Sequence, residues 1–359
     1  MRVVFAINTV GLGHATRSLP LIRGALERGH EVSIISNFRS LAFLKNELGN
    51  KIKRYFRLHD YSFASKLFSN KKVSMQKFIL NLPLFLKEYK TEHDSFIRMQ
   101  KRYKFECIIT DTRFGIFDRK TPSYLLSHHI RNKIKGLARV SEMLSEIPYF
   151  ALMSRFRKIL IPDFRKGDIA GSYTHGFKFL SKDDVSYLGV LSMIQKRKVK
   201  EDIDYFFTVS GPEPQRTVFE KKVLACLPKL EGKRVVVTLG KPEVKKTIRK
   251  GHTTIFSFLD NKKQEEMMNR AKLVVTRSGY TTVMELAELG KKALLIPTKG
   301  QEEQEYLAKY HHERGNYLSV DLDDLNLPDD LETAAQYPGI QTKKKTKDSV
   351  KRFLDVTGL

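Results

Sequence analysis

The sequence predicts an α/β protein of two doubly wound parallel-sheet domains. Three observations carry that reading. The chain has 359 residues, 41% of them apolar and 29% charged, which is enough for two domains with real cores. Short apolar runs recur along it, each followed by a polar turn and an amphipathic segment, which is the βαβ pattern. The series is broken once, at residues 192–204, where a polar stretch includes Lys196-Arg197-Lys198-Val199-Lys200 and reads as a linker. The expected division is a first domain at 1–191, a linker at 192–204, a second domain at 205–340 and a terminal helix at 341–359.

Residues 1–7 form the first strand. Residues 14–28 follow as a helix with Leu19, Ile22, Ala25 and Leu26 on one face, stopped by Gly29-His30, and 31–36 form the next strand. Gly11-Leu12-Gly13-His14 fills the first strand-to-helix turn, where doubly wound folds place ligands. The dinucleotide fingerprint is incomplete, and the second strand ends at Ser36-Asn37 without an acidic residue, which disfavours a nicotinamide dehydrogenase. Residues 63–103 are rich in Lys and large apolar side chains. The expectation is a long core-facing helix bent near Pro83, with 71–87 also suited to an interfacial membrane contact. Strand 106–110 ends at Asp111 on the ligand side of the sheet, where the carboxylate would orient His14, act as base or cap a turn. Strand 122–126 leads to Ser127-His128-His129. Adjacent histidines rarely share a metal and no third ligand is evident, so no structural zinc is expected. Residues 133–158 are a second basic, apolar region. Strands at 159–162 and 186–191 complete the domain.

The second domain opens with strand 205–209 and the turn Ser210-Gly211-Pro212-Glu213-Pro214-Gln215-Arg216, in which Arg216 suits a phosphate or a surface charge. Strands 235–239 and 253–257 follow, the latter leading to Phe258-Leu259-Asp260. The most informative stretch is 271–297. An apolar strand at 271–275 meets Thr276-Arg277-Ser278-Gly279, which opens a helix with Val283, Leu286, Ala287 and Leu289 inward, stopped by Gly290 before a strand at 293–296. Backbone N–H groups at Ser278-Gly279 suit a phosphate, and Glu285, acceptor-only, suits the hydroxyls of a ribose. Gln301, Glu302 and Gln304 open a further helix. Val350, Phe353 and Leu354 recur at helical spacing near the C-terminus.

The net charge is +25, with +18 carried by residues 1–190 and +7 by the remainder. A basic first half suits an anionic partner such as a membrane surface or a phosphorylated lipid; no nucleic-acid motif accompanies it. Cys107 and Cys226 lie apart in apolar runs and read as reduced core residues of an intracellular protein. No secretory signal and no run of about 18 apolar residues is evident.

Three pieces in order carry a resemblance: Arg277-Ser278-Gly279 with Thr282-Val283 and Glu285, then Leu294-Leu295-Ile296-Pro297, then Gln301-Glu302-Glu303-Gln304. Together they resemble the donor-binding half of GT-B glycosyltransferases, most closely glycosyltransferase family 28. Gly11-Leu12-Gly13-His14-Ala15-Thr16-Arg17-Ser18 resembles the N-terminal loop of the same enzymes. The likeness is most specific over 271–308, less so over 1–36, and pattern-level between. Tyr280 stands where a small residue is often seen, and Glu302-Glu303 alters the usual Asp-x-Gln spacing.

The resemblance implies a GT-B architecture, two Rossmann-like domains facing a cleft, with the C-terminal helix crossing back to the first. It implies an inverting transferase moving a hexose or N-acetylhexosamine from a UDP-sugar, UDP-N-acetylglucosamine among the candidates, to an acceptor hydroxyl on a membrane-associated glycolipid. His14, with Asp111, would be catalytic. Donor binding would fall to Gly11, Gly13, Gly211, Arg216, Phe258, Leu259, Arg277, Ser278, Gly279, Thr282, Glu285, Gln301, Glu302 and Gln304. Arg17, His128 and His129 are acceptor-side candidates. No metal and no cofactor beyond the UDP-sugar substrate is expected, and the expected location is the cytoplasm, at the inner face of the cell membrane. The alternatives are a UDP-sugar 2-epimerase of the same fold and a non-catalytic binder of anionic surfaces.

Overall fold

A computed structural model describes residues 1–58, 75–130, 147, 149–166, 169–244 and 246–359. The membrane-contact reading of 71–74 and most of the basic region 133–158 therefore lie outside the described residues. The chain forms two compact units, Met1–Met193 with Lys344–Leu359, and Ile194–Lys343.

In the first unit the elements are β1 (Arg2–Ile7), α1 (Gly13–Glu27), β2 (Glu31–Ser36), α2 (Phe38–Leu48), β3 (Arg54–Arg57), α3 (Met75–Tyr103), β4 (Cys107–Asp111), β5 (Ser123–Leu126), β6 (Lys158–Ile161) and β7 (Val185–Tyr187). The seven strands run parallel in the order β3-β2-β1-β4-β5-β6-β7. Central strands such as Val3–Ile7 and Cys107–Asp111 are buried throughout, which is why they read as unbroken apolar runs. The strand expected at 186–191 stops at Tyr187, because Leu188 to Leu191 leave the ladder although they remain buried. Helix α2 and strand β3 are additions to the sequence reading. The C-terminal helix Thr346–Thr357 packs on α1, its Val350 lying against Gly24.

The second unit contains β8 (Ile203–Thr208), α4 (Gln215–Cys226), β9 (Val235–Thr238), β10 (Thr247–Lys250), β11 (Thr253–Phe256), α5 (Asn261–Arg270), β12 (Ala271–Thr276), α6 (Tyr280–Leu289), β13 (Lys292–Leu295), α7 (Glu302–Glu313), β14 (Leu318–Ser319) and α8 (Leu327–Ala334). Its order is β10-β11-β9-β8-β12-β13-β14, parallel except for the β10–β11 edge hairpin. That hairpin went unread because Thr247–Lys250 is exposed at every position and has no apolar alternation. Both cysteines are buried and unbridged, and burial pushes the Cys107 thiol up to about 12. Among the described residues, no helix is long and apolar enough to cross a membrane.

Gly240, at the exit of β9, holds φ at +62°, and a Cβ there would stand 2.7 Å from the carbonyl oxygen of Val209. Gly232, in the same unit, has φ +79° with no atom near its Cβ position. Left-handed backbone costs an L-residue about 1–2 kcal/mol, and overpacking a further 1–3. Gly240→Ala is therefore expected to lose about 2–4 kcal/mol and Gly232→Ala about half of that, measured by urea denaturation.

Candidate active site

Each sheet reverses its winding once. In the first unit β1 is followed on one side by β2 and β3 and on the other by β4 to β7, so the exits of β1 and β4 are adjacent, the first leading into α1 and the second into the irregular chain 112–122. The register pairs Ile7 with Asp111, which puts that carboxylate level with the loop that opens α1. Helix α1 begins at Gly13 without a side-chain cap, and one turn separates His14 from Arg17 on the same face.

These residues meet at Asp111. His14 Nδ1 lies 2.8 Å from Asp111 Oδ1. Arg17 donates Nε to Oδ2 at 2.7 Å and its NH2 group to Oδ1. Ser18 Oγ donates to Oδ2 at 3.1 Å. Each carboxylate oxygen thus has two donors. Burial alone would raise the Asp111 pKa, but Arg17 and then His14 outweigh it and hold the carboxyl well below the usual carboxylate range. An ionised carboxylate is acceptor-only, so the His14 nitrogen facing it carries hydrogen and the lone pair is on Nε2. Thr112, next in the chain, sits at φ +54°, a strained conformation for a threonine, with Oγ1 3.5 Å from His14 Nδ1.

Arg17, expected on the acceptor side, is instead 1% exposed and spent on this cluster. Its NH1 lies 2.5 Å from His128 Nδ1. His129 packs its ring against Tyr173 at 4.6 Å. Gly11 lies in the exposed loop at φ +78°.

In the second unit the reversal falls between β8 and β12, whose ends are joined by a Thr208–Thr276 hydroxyl bond of 2.7 Å. The loops leaving them are Ser210 to Pro214 and Arg277 to Gly279. The N-cap residues of the helices they open, Pro214 of α4 and Gly279 of α6, supply no side-chain cap, whereas α2 and α5 are capped by Asn37 and Asp260. At α4 the N–H groups of Arg216 and Thr217 are taken by Pro212 O and the Glu213 carboxylate, so it is the α6 start that suits an incoming anion. Gly211 is at φ +117° with its Cβ position 3.9 Å from Thr298 Oγ1, a buried hydroxyl with no partner among the described residues. Sequence reasoning passed over Thr298; its place right after Pro297, at a strand exit, was the available signal.

Several expected donor contacts are turned inward. Arg277 is 3% exposed; its NH1 donates to Ile296 O and Pro297 O at 3.2 and 2.9 Å, its NH2 to Gln215 O at 3.2 Å, and its guanidinium lies 4.2 Å from the Phe219 ring centre. Burial pushes its pKa down to about 10. It is a buried cation behind the helix start, not a fork presented to solvent. Arg216 is engaged by Glu213 and by the carbonyls of Leu239 and Gly240. Ser278 Oγ donates to Gln304 O at 2.7 Å, and the Gln304 amide is shared between Thr298 N and Gln301. Leu259 is buried, while Phe258 is 48% exposed at the β11 exit; Thr282 and Gln301 are half-buried and Glu302 is exposed.

Glu285, in the second turn of α6, is buried with no partner among the described residues, and burial pushes its carboxyl up to about 7. A raised folded pKa gives stability that is complete below the unfolded value of 4.5 and is lost as pH rises through about 7. Glu285→Gln removes that loss. The variant is expected to exceed the parent by about 3 kcal/mol above pH 8 and by little near pH 4.5, read from denaturation at both pH values.

Comparison with known proteins gives these sites a family setting. Residues 214–355 match the profile of the glycosyltransferase family 28 C-terminal domain, and residues 1–131 match that of glycosyl transferase family 1. A search of curated proteins returns no match. Among solved structures, the glycotransferase of kitacinnamycin superposes with a TM-score of 0.65 at 14% identity, covering 99% of this chain and 95% of the other. The calicheamicin glycosyltransferase CalG4 gives 0.64 at 12%, covering 100% and 94%. MurG of Acinetobacter baumannii gives 0.58 at 12%, covering 99% of each chain. The fold and both family matches agree: the chain has the GT-B fold and resembles glycosyltransferases, with its 214–355 segment matching family 28.

Proposed function

We propose that the protein is an inverting transferase that moves a hexose or N-acetylhexosamine from a UDP-sugar to an acceptor hydroxyl on a membrane-associated glycolipid. The observation that carries the reaction type is the His14–Asp111 pair, with the imidazole lone pair directed away from a buried, ionised carboxylate. In this reading Nε2 of His14 takes the acceptor proton as the hydroxyl oxygen attacks the anomeric carbon, and the diphosphate leaves from the opposite face. The negative charge that develops on the diphosphate is stabilised by N–H groups at the Ser278-Gly279 helix start, with the Arg277 cation behind them. The mechanism needs no metal. Glu285, deprotonated as it accepts two ribose hydroxyls, fixes the nucleoside. Thymidine diphosphate is the nucleotide in one similar structure, a spinosyn rhamnosyltransferase SpnG at 12% identity and a TM-score of 0.61, so a thymidine donor is the nearest alternative to a uridine one.

The acceptor assignment rests on the basic first half of the chain, which suits the anionic face of a membrane. A glycosidic product, not epimerised nucleotide sugar, separates this reading from a 2-epimerase.

His14→Ala is expected to lower kcat by about 10²–10⁴-fold with the donor KM little changed, measured by sugar transfer to a glycolipid acceptor. A transfer rate equal to the parent's would contradict the base assignment. Binding to anionic vesicles is expected to weaken as salt rises from about 50 mM to 500 mM, because the Debye length shrinks severalfold; salt-independent binding would contradict the membrane assignment.

A further inference from the structure

We propose that Arg17 is a positioning residue that holds His128 with its hydrogen on Nε2 while anchoring Asp111, the carboxylate that holds neighbouring His14 in the opposite tautomer, with its lone pair on Nε2. The inference deepens the proposed transferase mechanism and rests on it for its catalytic consequence, but not for its structural content.

The argument is one of donors and acceptors. A guanidinium has five N–H donors and no acceptor, and an ionised carboxylate has four lone-pair sites and no donor. Around Asp111 four donors converge: Arg17 Nε and NH2, Ser18 Oγ and His14 Nδ1. Arg17 NH2 also lies 2.8 Å from His14 Nδ1, but that nitrogen cannot both donate to Asp111 and accept from Arg17. A lone pair on Nδ1 would face the ionised Oδ1 at 2.8 Å, whereas an N–H there is a charge-assisted donor to it, so Nδ1 of His14 carries the hydrogen.

The opposite holds on the other side of the fork. Arg17 NH1 points at His128 Nδ1 from 2.5 Å, and a guanidinium cannot accept. That nitrogen therefore holds a lone pair, and a neutral His128 carries its hydrogen on Nε2. The two imidazoles stand 6.3 Å apart, centre to centre, and the Arg17 guanidinium reaches both. One fully buried side chain thus makes His128 a hydrogen-bond donor at Nε2 and anchors the carboxylate that makes its neighbour a proton acceptor. A lysine cannot do this, because it is a point charge without a second nitrogen.

The test reads the tautomers directly. Histidine ring nitrogens are labelled with 15N in the full-length protein and assigned with His14→Gln and His128→Gln. The parent is expected to show His14 protonated at Nδ1 and His128 protonated at Nε2 at neutral pH. Arg17→Lys keeps the buried charge balanced and so preserves the fold. It is expected to leave the His14 pattern in place, turn His128 into an exchanging mixture of tautomers, and lower kcat about tenfold with the donor KM unchanged. Arg17→Met removes both arms, and is expected to disturb both rings and lower kcat by about 10²-fold or more. Parent-like nitrogen spectra for both rings in Arg17→Lys would overturn the proposal, whether or not Arg17→Met folds. If the spectra change as expected while the parent transfers no sugar, the proposed function falls and the role of Arg17 stands.

Discussion

A parallel sheet that is wound first to one side of its starting strand and then to the other leaves two neighbouring strand ends from which the connections lead to opposite sides. Nothing in the sheet itself fills that gap. This protein has the constraint twice, between β1 and β4 and between β8 and β12. Every residue argued to touch chemistry directly lies on a loop or helix start beside one of these two ends, and the register Ile7–Asp111 and Thr276–Thr208 sets their level.

The two ends are electrostatically different. At the first, a buried anion is matched to a buried cation within one cluster, so Asp111 stays ionised without drawing on solvent. Breaking one half of such a pair is costly, which ties the geometry of the cluster to the stability of the unit. At the second, charges are buried without matched partners. Arg277 rests on carbonyls and a ring, and Glu285 is held up near neutrality by burial alone. An unmatched buried charge is the kind of strain that a ligand of complementary charge and hydroxyl pattern relieves.

Much of this was legible in the chain. The apolar runs became strands because buried parallel strands need no alternation, and Gly290 stops α6 in the left-handed conformation that its position implied. The positions of His14, Asp111 and Glu285, at strand exits or on the helix that follows one, were readable. The pairing of Arg17 with Asp111 was not, because its partner lies 94 residues away and is fixed by strand order, which local spacing does not encode. Arg277 misled for a related reason. Its motif position placed it among the donor-binding residues, yet the carbonyls that follow β13 and open α4 capture its guanidinium. Exposed elements such as β10 carry too little apolar signal to be read at all.

The measurement closest to the central claim is amide hydrogen exchange on the full-length protein, free and saturated with UDP or with a UDP-sugar. The account predicts protection of the backbone at 210–216 and 277–282, with the loop at 8–13 protected by the UDP-sugar and not by UDP. Binding of a uridine nucleotide that leaves both second-unit loops exchanging as in the free protein would contradict the placement of the donor at the β8–β12 reversal.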